Sequence, residues 1–234
     1  MHKFVFCGHS SLEFGIYISG ENTFNGPEKD YETVDVPGRN GSLLIEKNRL
    51  KNISVSYPAY IRKGFRFNAQ AARNWLLASE GYQRLEDDYH PDSYRLAYFA
   101  GPIDFDMRFL NLSGEVELTF QCKPQRWLKS GEFPIALTSG QSLHNAWQTA
   151  LPLIDVTGKG NGVLTVGASI VQITGMDGGI TLDSEVQNAY QGTVNKNNAI
   201  QLTGGFPTLP RGDTVISWSG GITGVKITPR WWTV

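Results

Sequence analysis

Cysteine and net charge are what this chain has least of. Only Cys7 and Cys122 stand among 234 residues. Two thiols do not build the disulfide framework of a small secreted scaffold, so stability must come from packed cores, and a reducing cytoplasm suits the composition. The pair could face each other across strands; two separate reduced thiols is the preferred reading. The formal net charge of -1 leaves no basic footprint for nucleic acid or an anionic membrane. No apolar run approaches the roughly 18 residues of a membrane-spanning helix. The short stretch Phe4-Val5-Phe6 stops at Gly8-His9-Ser10 and does not read as a signal peptide. Internal repeats and low-complexity segments are missing too.

Catalytic signatures are equally scarce. His2, His9, His90 and His144 are scattered, none at ligand spacing from a second His or Cys, so no zinc site is expected. Glu86-Asp87-Asp88 with Asp92 is acidic but lacks the Asp-x-Asp-x-Asp-Gly order of a calcium loop, and reads as a solvated loop before His90-Pro91-Asp92. Asp183 and Glu185, two apart, would share one side of a strand, a weak catalytic signal. No Gly-x-Ser-x-Gly elbow, phosphate loop or dinucleotide fingerprint occurs. Arg211-Gly212-Asp213 follows Leu209-Pro210 and reads as a tight turn. The expectation is a protein that is not an enzyme, with no cofactor and no metal.

What is present changes near residue 130. Residues 1–130 carry 16 Lys/Arg, 16 Asp/Glu and 10 Gly; residues 131–234 carry 5, 6 and 16. The Gly/Pro cluster at residues 130–134 marks the boundary, giving domains 1–130 and 131–234. Hydrophobic residues at 40% and aromatics at 12% are enough for a real core in each.

The first half reads mostly as strands. Glu32-Thr33-Val34-Asp35-Val36 alternates, Pro37-Gly38-Arg39-Asn40-Gly41 follows as a turn with Asn-Gly as a hairpin signal, and Leu43-Leu44-Ile45 resumes the strand. Residues 52–61 form another strand, with Ile53, Val55 and Tyr57 on one face and Pro58 marking an edge or bend. One helix is expected from an N-cap at Asn68 to a stop at Gly81. Ala69, Ala72, Leu76 and Ser79 lie on one side of it and Trp75 beside them. Two further strands fall at residues 94–99 and 115–121.

The second half shows no helix. Short β-rich runs fall at residues 151–156, 162–168, 170–174, 180–182, 199–202, 214–218 and 225–228. Lys159-Gly160-Asn161-Gly162 and Met176-Asp177-Gly178-Gly179 read as turns between them. That pattern argues a β-sandwich. Trp147, Trp218, Trp231 and Trp232 are candidate sugar-stacking rings, although adjacent Trp231 and Trp232 must face opposite ways on a strand, which makes at least one of them core.

Several segments in order resemble the distal tail protein (Dit) family of siphophages. They are Val34-Asp35-Val36-Pro37-Gly38-Arg39-Asn40-Gly41; Tyr94-Arg95-Leu96-Ala97-Tyr98-Phe99; Leu118-Thr119-Phe120-Gln121-Cys122-Lys123-Pro124; Ile180-Thr181-Leu182-Asp183-Ser184-Glu185 before Ala189-Tyr190; Gly205-Phe206-Pro207-Thr208-Leu209-Pro210-Arg211-Gly212; and Ile227-Thr228-Pro229-Arg230-Trp231-Trp232. Arg211-Gly212-Asp213-Thr214 departs from an expected Gly-Asn-like turn. The resemblance implies a mainly β protein: an N-terminal β-sandwich-like ring domain with one α-helix, then a C-terminal galectin-like β-sandwich. It implies a homo-hexameric ring at the virion tail tip, assembled in the host cytoplasm. The ring would join the tail tube protein to the tail-associated hub protein, next to the tape measure protein, with DNA passing unbound through its channel and no membrane involved. Receptor-binding or peripheral baseplate proteins could dock outside. An open hairpin could add its edge to a neighbour's sheet, which nominates Val36, Pro37, Gly38, Arg39, Asn40 and Gly41 as subunit-interface residues. The competing reading is a carbohydrate-binding β-sandwich for host cell-wall saccharides.

Overall fold

A computed structural model describes residues 2–21, 23–108 and 112–234. They form two compact units, the first reaching Arg126 and the second spanning Trp127–Thr233. The division falls inside a strand, ahead of the Gly/Pro cluster at 130–134.

The first unit holds β1 (Phe4–Phe6), β2 (His9–Ser10), β3 (Ile16–Ile18), β4 (Lys29–Val34), β5 (Leu43–Leu50) and β6 (Ile53–Ile61). The helix α1 (Phe65–Leu77), β7 (Gln83–Asp87), β8 (Ser93–Phe99), β9 (Asp106–Arg108) and β10 (Ser113–Leu128) follow. The main sheet runs β2-β1-β7-β8-β10-β6-β3, with β9 also on β10. Alternation on its strands sends Val55, Tyr57, Ala97, Phe99, Leu118 and Phe120 to one side. Helix α1 closes that side with Phe65, Ala69, Ala72 and Leu76. Phe120 sits at the centre, with the rings of Phe4, Phe6, Tyr57 and Phe99 at centroid distances of 5.0–5.9 Å.

Two local expectations need correction. The helix starts at Phe65, after Gly64 and without a side-chain cap; Asn68 lies one turn inside and donates from Nδ2 to the Lys63 carbonyl oxygen (2.9 Å). Starting at Phe65 brings that ring into the buried stripe, edge-on to Phe105 at 5.5 Å; packing overrides the cap preference. Pro58 lies on β6, between β10 and β3, not on an edge strand. Its carbonyl accepts from Ser19 N (2.8 Å), so its missing N–H faces the same side, just past the end of β3.

The second unit holds β11 (Ile135–Leu137), β12 (Gln141–Asn145), β13 (Leu153–Val166), β14 (Ser169–Asp183) and β15 (Asn188–Gln191). Then come β16 (Val194–Asn195), β17 (Ile200–Thr203), β18 (Gly212–Thr228) and β19 (Trp232–Thr233). Three long antiparallel strands, β18-β13-β14, run through it. At one end they are flanked by β11 and β15, at the other by β12 and β17. Side chains from both halves, such as Ile154, Val156, Leu164, Val166, Ile180 and Ile216, meet in one core. The bent strands therefore supply both layers of the sandwich.

The segments read as turns, Lys159–Gly162 and Met176–Gly179, lie inside β13 and β14. Their glycines form a crease where neighbouring backbones crowd: a Cβ on Gly179 would sit 2.8 Å from the Val156 carbonyl oxygen, and one on Gly221 would run into the Lys159 carbonyl. The real link between β13 and β14 is the two-residue loop Gly167-Ala168. Arg211-Gly212-Asp213 is not a tight turn either, since Gly212 and Asp213 open β18 opposite Asn145 and His144.

Candidate subunit interface

Among the described residues, strands β4 and β5 pair only with each other. Their register sets Val34 opposite Leu43, Thr33 opposite Leu44, Glu32 opposite Ile45 and Tyr31 opposite Glu46. Opposed residues share a face, so Glu32, Val34, Leu43 and Ile45 lie on one side and Tyr31, Thr33, Leu44 and Glu46 on the other. Residues 32–49 are all exposed, Leu44 by 55%. The ion pairs Arg49–Asp30 (2.7 Å), Lys47–Glu32 (3.4 Å) and Lys51–Glu28 (3.6 Å) tie the base of the ribbon. A hydrogen bond from Arg49 holds the Asp30 carboxyl below the usual range. The two exposed pairs, Lys47–Glu32 and Lys51–Glu28, favour a register more than they add stability.

At the tip, Arg39 N donates to the Val36 carbonyl oxygen (3.1 Å) across Pro37-Gly38. Pro37 pre-sets its own φ and Gly38 takes φ 81°, the requirement of a type II turn. The turn is thus made by Pro37-Gly38, and Asn40-Gly41 does not form the two-residue hairpin loop its sequence suggests. The tip residues Val36, Pro37, Gly38, Arg39, Asn40 and Gly41 are all exposed. An isolated two-stranded ribbon is marginal in water. This one has apolar side chains on both faces and two edges of unpaired backbone groups, which suits it to strand addition or to insertion against another surface.

Elsewhere the candidate residues are occupied structurally. Arg230 grips Asp183 with both nitrogens (Nη1–Oδ1 2.7 Å, Nη2–Oδ2 3.0 Å) and lies 3.4 Å from Glu185. That grip holds the Asp183 carboxyl below its ordinary pKa. It also joins two segments far apart in sequence, one before Ala189-Tyr190 and one in the closing Pro-Arg-Trp-Trp run. Trp231 is buried, and Trp232 donates from Nε1 to the Thr149 carbonyl oxygen (2.9 Å). Of the four tryptophans considered for sugar stacking, Trp147 is the exposed one. Cys7 is exposed and Cys122 buried, both as free thiols; burial pushes the Cys122 thiol up to about 12.

The acidic run is not a solvated loop throughout. Asp87 ends β7 and is nearly buried, accepting from Tyr57 OH (2.8 Å), Tyr89 N (3.0 Å) and His90 N (2.9 Å). Two arginines missed by sequence reasoning, Arg95 and Arg126, lie in the same pocket. The signal for Arg95 was its parity: it shares a strand face with Ala97 and Phe99, both buried. A second, open feature of the first unit is a groove of about 610 Å³ bordered by Glu21, Pro58, Tyr60, Asp104 and Glu117.

Over its full length the chain is similar in fold to the Dit protein (gp 19.1) of phage SPP1, with a TM-score of 0.77, 10% identity and 100% of each chain covered. That protein is described as a paradigm of the hub adsorption apparatus in phages infecting Gram-positive bacteria. A chain of the phage P2 baseplate, in its activated conformation with Ca, matches at a TM-score of 0.51 with 8% identity and 97% of each chain covered. No protein-family model and no curated protein matches the sequence. The chain thus has the mainly β fold of a phage Dit protein, with, among the described residues, one α-helix in its first unit and a β-sandwich in its second.

Proposed function

We propose that this chain is a structural protein of a phage tail tip, a distal tail protein and not an enzyme. Six copies close into a ring through the first units, and the second units sit as separate sandwiches. The ring joins the tail tube protein to the tail-associated hub protein in the virion and lets the tape measure protein and DNA pass. Peripheral baseplate or receptor-binding proteins dock outside, and assembly takes place in the host cytoplasm.

The observation that carries this reading is the solitary β4–β5 ribbon, apolar on both faces and open on both edges. In a head-to-tail ring each subunit offers one surface and receives another. The ribbon is the offered surface, with Val36, Pro37, Gly38, Arg39, Asn40 and Gly41 at its leading end. Arg39 suits a neighbour's carboxylates, and the acidic groove beside Pro58 and Tyr60 supplies them. Light scattering with negative-stain imaging tests the reading. The expected mass is six times 25.9 kDa, with six-fold rings. A monomer that persists at high concentration and with tail partners added would rule it out.

A further inference from the structure

We propose that the outward face of helix α1 receives the β4–β5 ribbon of a second copy of this chain. The proposal rests on the tail-ring reading above and names what covers the ribbon's apolar face. Phe67, Gln70, Asn74 and Leu77 follow one another at helical spacing, opposite the buried stripe of the helix. Phe67 is 81% exposed and Leu77 59%. Between them Gln70 donates from Nε2 to Asn74 Oδ1 (3.3 Å), so the middle of the stripe is uncharged. Two apolar ends framing neutral amides make a surface that another apolar face can cover. The ribbon offers such a face in Val34, Leu43 and Ile45, all exposed.

Charge selects the occupant. Residues 47–79 contain no carboxylate side chain, yet Arg62, Lys63 and Arg66 crowd the start of α1. The helix has no acidic residue in its first turn and no side-chain cap, so these cations oppose the positive end of its dipole. A carboxylate brought from outside relieves that opposition. Across Phe105 the charge reverses. Its ring meets Phe65 of the helix edge-on at 5.5 Å, and its neighbour Asp104 borders the open groove together with Glu117. The ribbon tip is bipolar in the same sense, with Asp35 just before the Pro37-Gly38 turn and Arg39 just after it. Seated at this junction, the tip turns Asp35 toward the helix cations and Arg39 toward the groove carboxylates, while Val34, Leu43 and Ile45 cover Phe67 and Leu77. Offered and receiving surfaces are different elements, so the contact is head-to-tail and can close a ring.

The test uses the full-length protein carrying Cys7→Ser, which leaves the buried Cys122 as its native thiol. Leu43→Cys and Phe67→Cys are introduced together and treated with a short bismaleimide. A denaturing gel should show a ladder of joined chains up to the hexamer, and chains with one of the two substitutions should show none. Phe67→Glu should lower the particle mass from six chains to one while leaving the thermal midpoint unchanged. Asp35→Arg and Arg66→Glu should each weaken the ring, and the two together should restore it. If Phe67→Glu does not fold, the ladder and the charge exchange decide. Six-fold rings without a ladder, or rings retained in Phe67→Glu, would overturn the proposal and leave the tail-ring reading standing, with the helix turned toward a different tail protein. A wild type that forms no rings with tail partners present sinks both.

Discussion

In the first unit a helix and a cluster of aromatic rings cover the sheet, whereas in the second three strands fold back and cover their own inner face. The first arrangement leaves part of the chain over: the β4–β5 ribbon takes no part in the core and is free to engage something else. The second uses its long strands twice and leaves only short flanking strands at its edges. Charge follows the same division. The residues of the first half hold most of the ionisable groups, and they appear as ribbon ion pairs, an acidic groove and the buried Arg95 beside a half-buried Arg126. In the second half, the bidentate Arg230–Asp183 contact is the main anchor. The surface proposed for assembly thus lies in one unit, and self-contained packing in the other.

The largest expected effect separates assembly from folding. Ile45→Glu puts a charge on the apolar face of the ribbon, and the particle mass should fall from six chains to one, 25.9 kDa, by light scattering. Because Ile45 lies outside the core, the unfolding free energy of the first unit should stay within about 0.5 kcal/mol of wild type. A full ring in this variant would mean the ribbon is not the contact.

Next in size is Phe120→Ala, which removes the ring that four others surround. It should cost the first unit about 3–5 kcal/mol in denaturant unfolding and leave amide protection in the second unit unchanged. Gly221→Ala is its counterpart across the division. The added methyl meets the Lys159 carbonyl, and a loss of roughly 3 kcal/mol is expected in the second unit alone. Gly26→Ala, which meets nothing within 4 Å, serves as the neutral control.

The smallest effect is a split in acid sensitivity. Burial holds the folded pKa of His90 below its ordinary value, so the stability it contributes is full above about pH 6.5 and is lost as the pH falls through the folded value. Arg230 holds Asp183 low, and that contribution is full above about pH 4 and is lost below it. Hydrogen exchange against pH should therefore show the first unit loosening before the second. His90→Gln should remove the early step and Asp183→Asn the late one; simultaneous loosening would contradict the assignment.

The sequence was most readable where one face of a strand is buried. Alternation located residues 53–61 and 94–99 nearly to the residue, and helical spacing found Ala69, Ala72 and Leu76. It failed where one residue type serves two purposes. Glycine marks turns, but it also marks places where two backbones touch, and only the partner strand distinguishes Gly160 and Gly178 from turn residues. Asn68 failed for a related reason, because burial of Phe65 outweighed a good cap. The ribbon was legible as a hairpin, yet Leu43-Leu44-Ile45 looks in sequence like any core strand, and its exposure depends on what the rest of the chain leaves uncovered. The ordered segments that resemble Dit proteins pointed to the fold, even though the SPP1 protein shares only 10% identity. What the two chains have in common is the course of the backbone more than a string of letters.

The crease in the second unit has a mechanical consequence. In an ordinary sandwich the two layers are separate sheets held by side chains, and a sideways load can make one slide over the other. Here β13, β14 and β18 pass through both layers, so sliding would have to stretch covalent backbone. A pull on either layer is carried around the fold into the other, and the unit answers as one stiff body.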